Sequence, residues 1–218
     1  MMRAVVSFSG GKDSNHALYR AKRAGHQIIG LIAMMCEDRQ VSRSNAVPLS
    51  VLSAQANSLG VALFHKQTTW TNYEKDFSDL LCSVKKSHNI DGCIFGDIDL
   101  EGHRQWGERV CGSLGLKAIY PLWQGKREQL MAELIEKGFD MRISVIDTRH
   151  LSENLVGTKI DDEILEQFQK AKIDLSGENG EYHTVVIDGP DFESKVEIKK
   201  IGSVEVDQNH CVMEFELI

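Results

Sequence analysis

The sequence predicts an α/β fold, with a parallel sheet and flanking helices through about residue 122, followed by a smaller α+β part. Three observations carry this. Short apolar runs alternate with helix-period segments through the first half of the chain, which is the rhythm of βαβ units. Those runs show no polar alternation, as expected of strands covered on both faces. The last run, "HCVMEFELI", does alternate. Cys211, Met213, Phe215 and Leu217 fall on one side and Glu214 and Glu216 on the other, the pattern of a half-exposed antiparallel strand.

Taken in order, "RAVVSFS" reads as a buried strand. "NHALYRAKRAG" follows as a helix, since Ala17, Leu18 and Ala21 fall together and Gly25 stops it. "QIIGLIAMM" is a second buried strand, "VPLSVLSAQANSLG" a helix closed by glycine, and "VALFHK" a third strand. "TNYEKDFSDLLCSVKKSHN" is a helix, "DGCIFGD" a strand, "LEGHRQWGERVCGSLG" a helix and "LKAIYPLW" a strand. Past Pro121 the rhythm loosens. "KREQLMAELIEKG" is a helix, "DMRISVID" a strand and "DDEILEQFQKAK" another helix; the tail carries "HTVVIDGP", "SKVEIKKI", "SVEVD" and the alternating last run. The boundary is expected near 120–125, dividing the chain into units 1–122 and 123–218.

Composition narrows the function. The chain has 218 residues, 42% of them apolar, and a net charge of −7. That suits a globular protein with a real core and argues against a general nucleic-acid coat, which needs a basic surface. Five cysteines (Cys36, Cys82, Cys93, Cys111, Cys211) occur without a C-x-x-C, so reduced core thiols are the ordinary reading. "IIGLIAMMC" is too short to span a bilayer, and "MMRAVV" runs straight into a glycine loop without room for a secretory leader. A cytoplasmic protein without membrane contact is expected.

The glycine loop is Ser9-Gly10-Gly11-Lys12-Asp13-Ser14, set between the first strand and the first helix. Backbone N–H groups at a helix start face anions, and glycines let a backbone approach closely. A Walker loop is excluded, because Val6 stands where its first glycine belongs and Asp13 follows the lysine. A dinucleotide G-x-G-x-x-G is absent as well. Gly10 and Gly11 are read as clearing space for phosphates, and Ser9 and Ser14 as offering hydroxyls. Lys12 is read as offsetting charge on a leaving pyrophosphate. Asp13 suits either a magnesium ligand or a helix N-cap.

This loop resembles the S-G-G-x-D-S loop of the PP-loop ATP pyrophosphatases, whose nucleotide-binding domain is of the HUP, adenine nucleotide alpha hydrolase-like class. Two further stretches, "FGDIDLEGHRQWGERVCGSLGL" and "GENGEYHTVVIDGP", resemble the diphthine–ammonia ligase (diphthamide synthase) family. The likeness spans roughly residues 3 to 192. It implies ATP and Mg2+, cleavage at the α-phosphate, adenylation of a carboxylate, and ammonia or another nitrogen donor displacing AMP. It also implies a modified protein, an elongation factor, as acceptor; a homodimer is allowed. "GDIDLEGHR" departs from the family's small-residue G-A-I-x-S stretch and looks more like bacterial relatives, which leaves the reaction type better supported than the acceptor.

Within these stretches Glu101, Arg104 and Glu108 share a helix face, with Asp97 just before, at the carboxyl end of a strand where open α/β sheets place ligands. Asp97, Glu101, His103 and Arg104 are candidate substrate contacts; the plainer reading is a solvated helix face for the charged stripe, and simple packing for His103, which falls on the apolar stripe with Trp106, Val110 and Leu114. Trp106 reads as core. In the second stretch Gly177, Glu178, Asn179, Gly180 and Glu181 are candidate substrate contacts. Glu181 and His183 join Lys12 and Asp13 as catalytic candidates, His183 because imidazole titrates near neutral pH. Two other functions are weighed: a tRNA-modifying PP-loop enzyme, disfavoured by scattered cysteines and acidic balance, and a nucleotide-binding regulator without turnover, disfavoured by the intact Lys12 and Asp13.

Overall fold

Five parallel strands, β1 (Arg3–Ser7), β2 (Gln27–Cys36), β3 (Ala62–Thr68), β4 (Gly92–Ile94) and β5 (Lys117–Ile119), form a sheet in the order β3-β2-β1-β4-β5. The computed structural model describes residues 1–38 and 40–218. Helices α1 (Lys12–Arg23), α2 (Leu49–Ser58), α3 (Tyr73–His88) and α4 (Glu101–Ser113) make the crossovers. Residues 30–35 of β2 are all buried, which explains a run of apolar residues without alternation. In α3, Glu74 and Asp76 occupy the first turn and Lys85, Lys86 and His88 the last, matching the helix dipole, and Asn89 ends it in the left-handed region at φ 51°.

The strand order reverses beside β1. Its neighbours are β2 on one side and β4 on the other, so the segments leaving β1 and β4 diverge and open a crevice at the carboxyl edge.

After α5 (Arg127–Glu136) come β6 (Asp140–Asp147), α6 (Asp162–Lys170), β7 (Tyr182–Asp188), β8 (Ile198–Glu205) and β9 (His210–Leu217). The four strands form an antiparallel sheet in the order β7-β6-β9-β8. "SKVEIKKI" and "SVEVD" meet in the single strand β8, whose register shifts between Lys200 and Gly202. Cys211, Met213 and Phe215 of β9 face the core as their alternation requires, but Leu217, near the strand's end, is 41% exposed. One apolar cluster joins both sheets: Val6, Leu18, Leu31 and Leu52 belong to it together with Leu130, Ile143, Val185 and Met213. The opposite face of the parallel sheet has its own cluster, with Ile32, Phe77, Cys93 and Val110.

Candidate active site

The crevice at the carboxyl edge is a cleft of about 530 Å³. The segment leaving β1 enters it first. Helix α1 begins at Lys12, its N-cap is Gly11, and no side chain caps it. Asp13 therefore lies inside the first turn, and of its two sequence readings the N-cap is excluded. Its carboxylate accepts from Lys12 Nζ at 2.7 and 2.8 Å. The lysine side chain is only 4% exposed, and Glu178 Oε1 stands 4.0 Å from Nζ on its other side. The Ser14 hydroxyl donates to the Gly11 carbonyl at 3.0 Å, and Ser9 Oγ accepts weakly from the Gly11 amide at 3.4 Å. Ser9, Lys12, Asp13 and Ser14 all line the cleft.

The two loop glycines have a different cause from the one expected. The space that Cβ atoms would take is filled by protein rather than left for phosphate. A Cβ on Gly11 would meet Asn45 Nδ2 at 2.1 Å and the Thr184 carbonyl at 2.9 Å; on Gly10, at φ +85°, it would meet Leu52 at 2.8 Å and Gln55 at 2.9 Å. β7 packs directly behind the loop. The Lys12 amide donates to Thr184 Oγ1 at 3.0 Å, and the Val186 amide to the Gly10 carbonyl at 2.9 Å. Gln55 Nε2 donates to both Gly10 O (2.9 Å) and Val186 O (2.5 Å), while Asn45 Nδ2 donates to Thr184 O at 2.7 Å. Gly96, after β4, plays the same part from the other side: a Cβ there would press on the Asp13 carbonyl carbon at 2.8 Å.

The 174–181 loop forms the facing wall. Gly177, Glu178, Gly180 and His183 line the cleft. Asn179 and Glu181 do not. The buried Glu181 turns inward, where Oε1 accepts from the Asp174 amide at 3.3 Å and from Asn179 Nδ2 at 3.1 Å, so it braces the loop instead of facing substrate. Glu178 takes the position expected for Glu181. Burial, and then the Asp13 charge, push its carboxyl up to about 7 despite the opposing pull of Lys12 and Arg127. Burial and the Lys12 charge lower His183 to about 4, so the ring is neutral at pH 7 and does not titrate there as the sequence suggested. Arg127, which the sequence reading missed, ties the wall down. It bonds Asp174 at 2.6 Å and Asp99, beyond β4, at 2.7 and 2.8 Å, and Asp174 in turn accepts from the amides of Ser176 and Glu178.

The third wall comes from the segment after β4. Asp97 and His103 line the cleft, with His103 Nδ1 3.0 Å from Asp97 Oδ1. Glu101 and Arg104 are not among the lining residues. Arg104 pairs with Glu108 at 2.8 Å and lies over the Trp123 ring, and Glu101 accepts from Gln105, the ordinary pairing of an outer helix face. Trp106 is both packed and exposed to the cleft: it meets Phe77 edge-on at 5.2 Å and Tyr73 at 5.8 Å. Tyr73, Trp70 and Arg43 were not anticipated. Arg43 stacks 4.5 Å over Trp70, and all three line the mouth.

The Lys12 side chain deep in the cleft, together with the helix-start amides, suits a polyphosphate. Among the described residues no group of three or more His, Cys, Asp or Glu is placed to hold a metal ion. Asp13 offers one partly exposed carboxylate beside the helix start, the donor set Mg2+ uses when phosphate oxygens and water supply the rest. No helix among the described residues is long and apolar enough to cross a membrane.

Residues 2–118 match the profile described as "Diphthamide synthase N-terminal domain", and residues 126–214 that described as "Diphthamide synthase C-terminal domain". The chain is similar to the diphthine–ammonia ligase of Mus musculus, 28% identical over 93% of this chain and 85% of that protein. It is likewise similar to the Homo sapiens ligase (26%, 89% and 82%) and the Danio rerio ligase (26%, 93% and 89%). Among solved structures, a Methanocaldococcus jannaschii chain described as a "predicted subunit of tRNA methyltransferase" superposes with a TM-score of 0.47. It is 17% identical, over 86% of this chain and 98% of that one, too distant to carry an argument.

Proposed function

The chain belongs to the diphthamide synthase family, and from that premise we propose how its own residues carry an amide-forming reaction. It is an ATP-dependent C–N ligase. The observation that carries the residue assignment is the convergence of Lys12, Asp13 and Glu178, drawn from two loops far apart in sequence, on one cleft.

In this reading the amides at the start of α1 receive the phosphates of ATP, and Lys12 turns from Asp13 toward the charge that gathers on the departing pyrophosphate. Asp13, freed of its lysine, is the residue that would hold Mg2+, and the ion would supply neutralisation of phosphate charge. The acceptor carboxylate enters past Glu178 and attacks the α-phosphate, leaving AMP on the carboxyl. Ammonia then displaces AMP. The 174–181 wall keeps water from the acyl-adenylate meanwhile. The acceptor is diphthine, as in the names of the relatives, carried on an elongation factor as the sequence resemblance implies, and the protein works in the cytoplasm.

Incubation with ATP, ammonium and a diphthine-bearing elongation factor tests this. Phosphorus NMR should show acceptor-dependent AMP and pyrophosphate, and the acceptor should gain an amide by mass spectrometry. ADP as the only nucleotide product would overturn the ligase mechanism. AMP formed only with another carboxylate would overturn the acceptor alone.

A further inference from the structure

The same cleft holds a pair that this mechanism does not use. Asp97 follows β4 and His103 stands in the first turn of α4. Their contact, Nδ1 to Oδ1 at 3.0 Å, has one chemical meaning in a neutral ring. An ionised carboxylate only accepts, so the hydrogen sits on Nδ1 and Nε2 carries the lone pair. Asp97 is 24% exposed and His103 64%, so the holding group is sheltered while the ring is reached from solvent.

Amide formation obliges the nitrogen to shed a proton. We propose that His103, oriented by Asp97, receives the proton released by the nitrogen nucleophile as the amide forms; this rests on the ligase reading above. The C–N bond forms while the bond from the acyl carbon to the AMP oxygen breaks, and its electron pair leaves with AMP. The proton passes from nitrogen to the lone pair of Nε2, making imidazolium beside the Asp97 carboxylate.

The other titratable groups of the cleft serve less well. His183 is buried against Lys12, whose charge opposes protonation, and Glu178 lies at the lysine end. The charged groups that bear on His103 are Asp97, through its hydrogen bond, and Glu178 across the cleft; both favour the imidazolium, although partial burial opposes it. His103 is then the proton acceptor and Asp97 a positioning residue.

The test uses H103Q and D97N in the full chain with ATP and the diphthine-bearing acceptor. Acceptor-dependent exchange of labelled pyrophosphate into ATP reports adenylation and is expected to stay within about 2-fold of the parent. Amide formation with ammonia should fall roughly 100-fold, the usual scale of general-base loss. With hydroxylamine, a less basic amine that sheds its proton more readily, the loss should be much smaller. Unchanged amide formation with ammonia, or equal losses with both amines, would overturn the proposal. Failure of the parent to exchange pyrophosphate with this acceptor would instead count against the acceptor reading. A nitrogen NMR spectrum of the labelled ring then decides the proposal by itself: hydrogen on Nδ1 in neutral His103, shifting toward a tautomer mixture in D97N, supports it. Hydrogen on Nε2 in the parent overturns it.

Discussion

The backbone amide of Lys12 donates to the hydroxyl of Thr184 at 3.0 Å, across 172 residues of sequence. The bond is buried, and it hangs the first turn of α1 on a strand of the other sheet. Thr184→Val keeps the shape and removes the acceptor, leaving a buried N–H unpaired. The expected cost is about 1–3 kcal/mol in denaturant unfolding, with a weaker affinity for ATP. Unchanged stability and unchanged ATP binding would show that the bond has no part in setting the loop.

Lys12 stands between two carboxylates, so Lys12→Met removes the proposed phosphate partner and leaves Asp13 and Glu178 facing each other. AMP formation should fall by roughly 100-fold or more. Circular dichroism should be unchanged, because the lysine sits at a helix start rather than in the apolar core. Normal AMP release from a folded variant would move the phosphate site elsewhere.

Glu178 and His183 oppose each other in their effect on stability, measured without nucleotide and in a chelator. The Glu178 carboxyl is raised to about 7, so between its ordinary value and 7 the folded state keeps a proton the unfolded state has lost, and stability falls as pH rises. His183 is lowered to about 4, so between 4 and its ordinary value the unfolded state holds the extra proton, and stability rises with pH. Each slope approaches about 1.4 kcal/mol per pH unit, and they cancel between about pH 4.5 and 6.5. Relative to the parent, Glu178→Gln should gain a rising slope in that window and His183→Gln a falling one. Parallel unfolding curves for all three proteins would refute the assignment.

Gly11→Ala places a methyl against Asn45 and the Thr184 carbonyl. A loss of about 1–3 kcal/mol is expected, from overpacking. Asn45→Ala opens room for that methyl, so the double variant should be less destabilised than the sum of the two single changes, by at least about 0.5 kcal/mol in a double-mutant cycle. Strict additivity would place the strain elsewhere.

The parallel sheet was legible because its signals are local: apolar runs, helix periodicity and glycine stops fall within short windows. The loop at Ser9 to Ser14 was legible for the same reason. What escaped depends on which way a side chain turns. Glu178 and Glu181 are three residues apart in one acidic, glycine-rich stretch, and nothing in the string says that Glu181 faces inward to Asn179 while Glu178 faces Lys12. Arg127 looked like an ordinary helix-start residue, because its partners Asp99 and Asp174 lie in other segments. Glu101 and Arg104 share a helix face, as expected, but that face looks outward, and periodicity carries no information on which neighbour a face meets.

Gln55 gives one amide group to two carbonyls, Gly10 in the loop before α1 and Val186 in β7. A loop braced in this way from behind does not wait for its ligand to take shape, nor can it be lifted out as a cassette. Exchanging residues 123–218 for the corresponding half of another PP-loop protein would remove Thr184 and Val186 and leave the Lys12 amide and the Gly10 carbonyl without their partners on β7. On the function proposed above, acceptor choice in such a protein is therefore tied to the architecture that would grip ATP, and new acceptors are reached by changing residues along the cleft walls rather than by shuffling its halves.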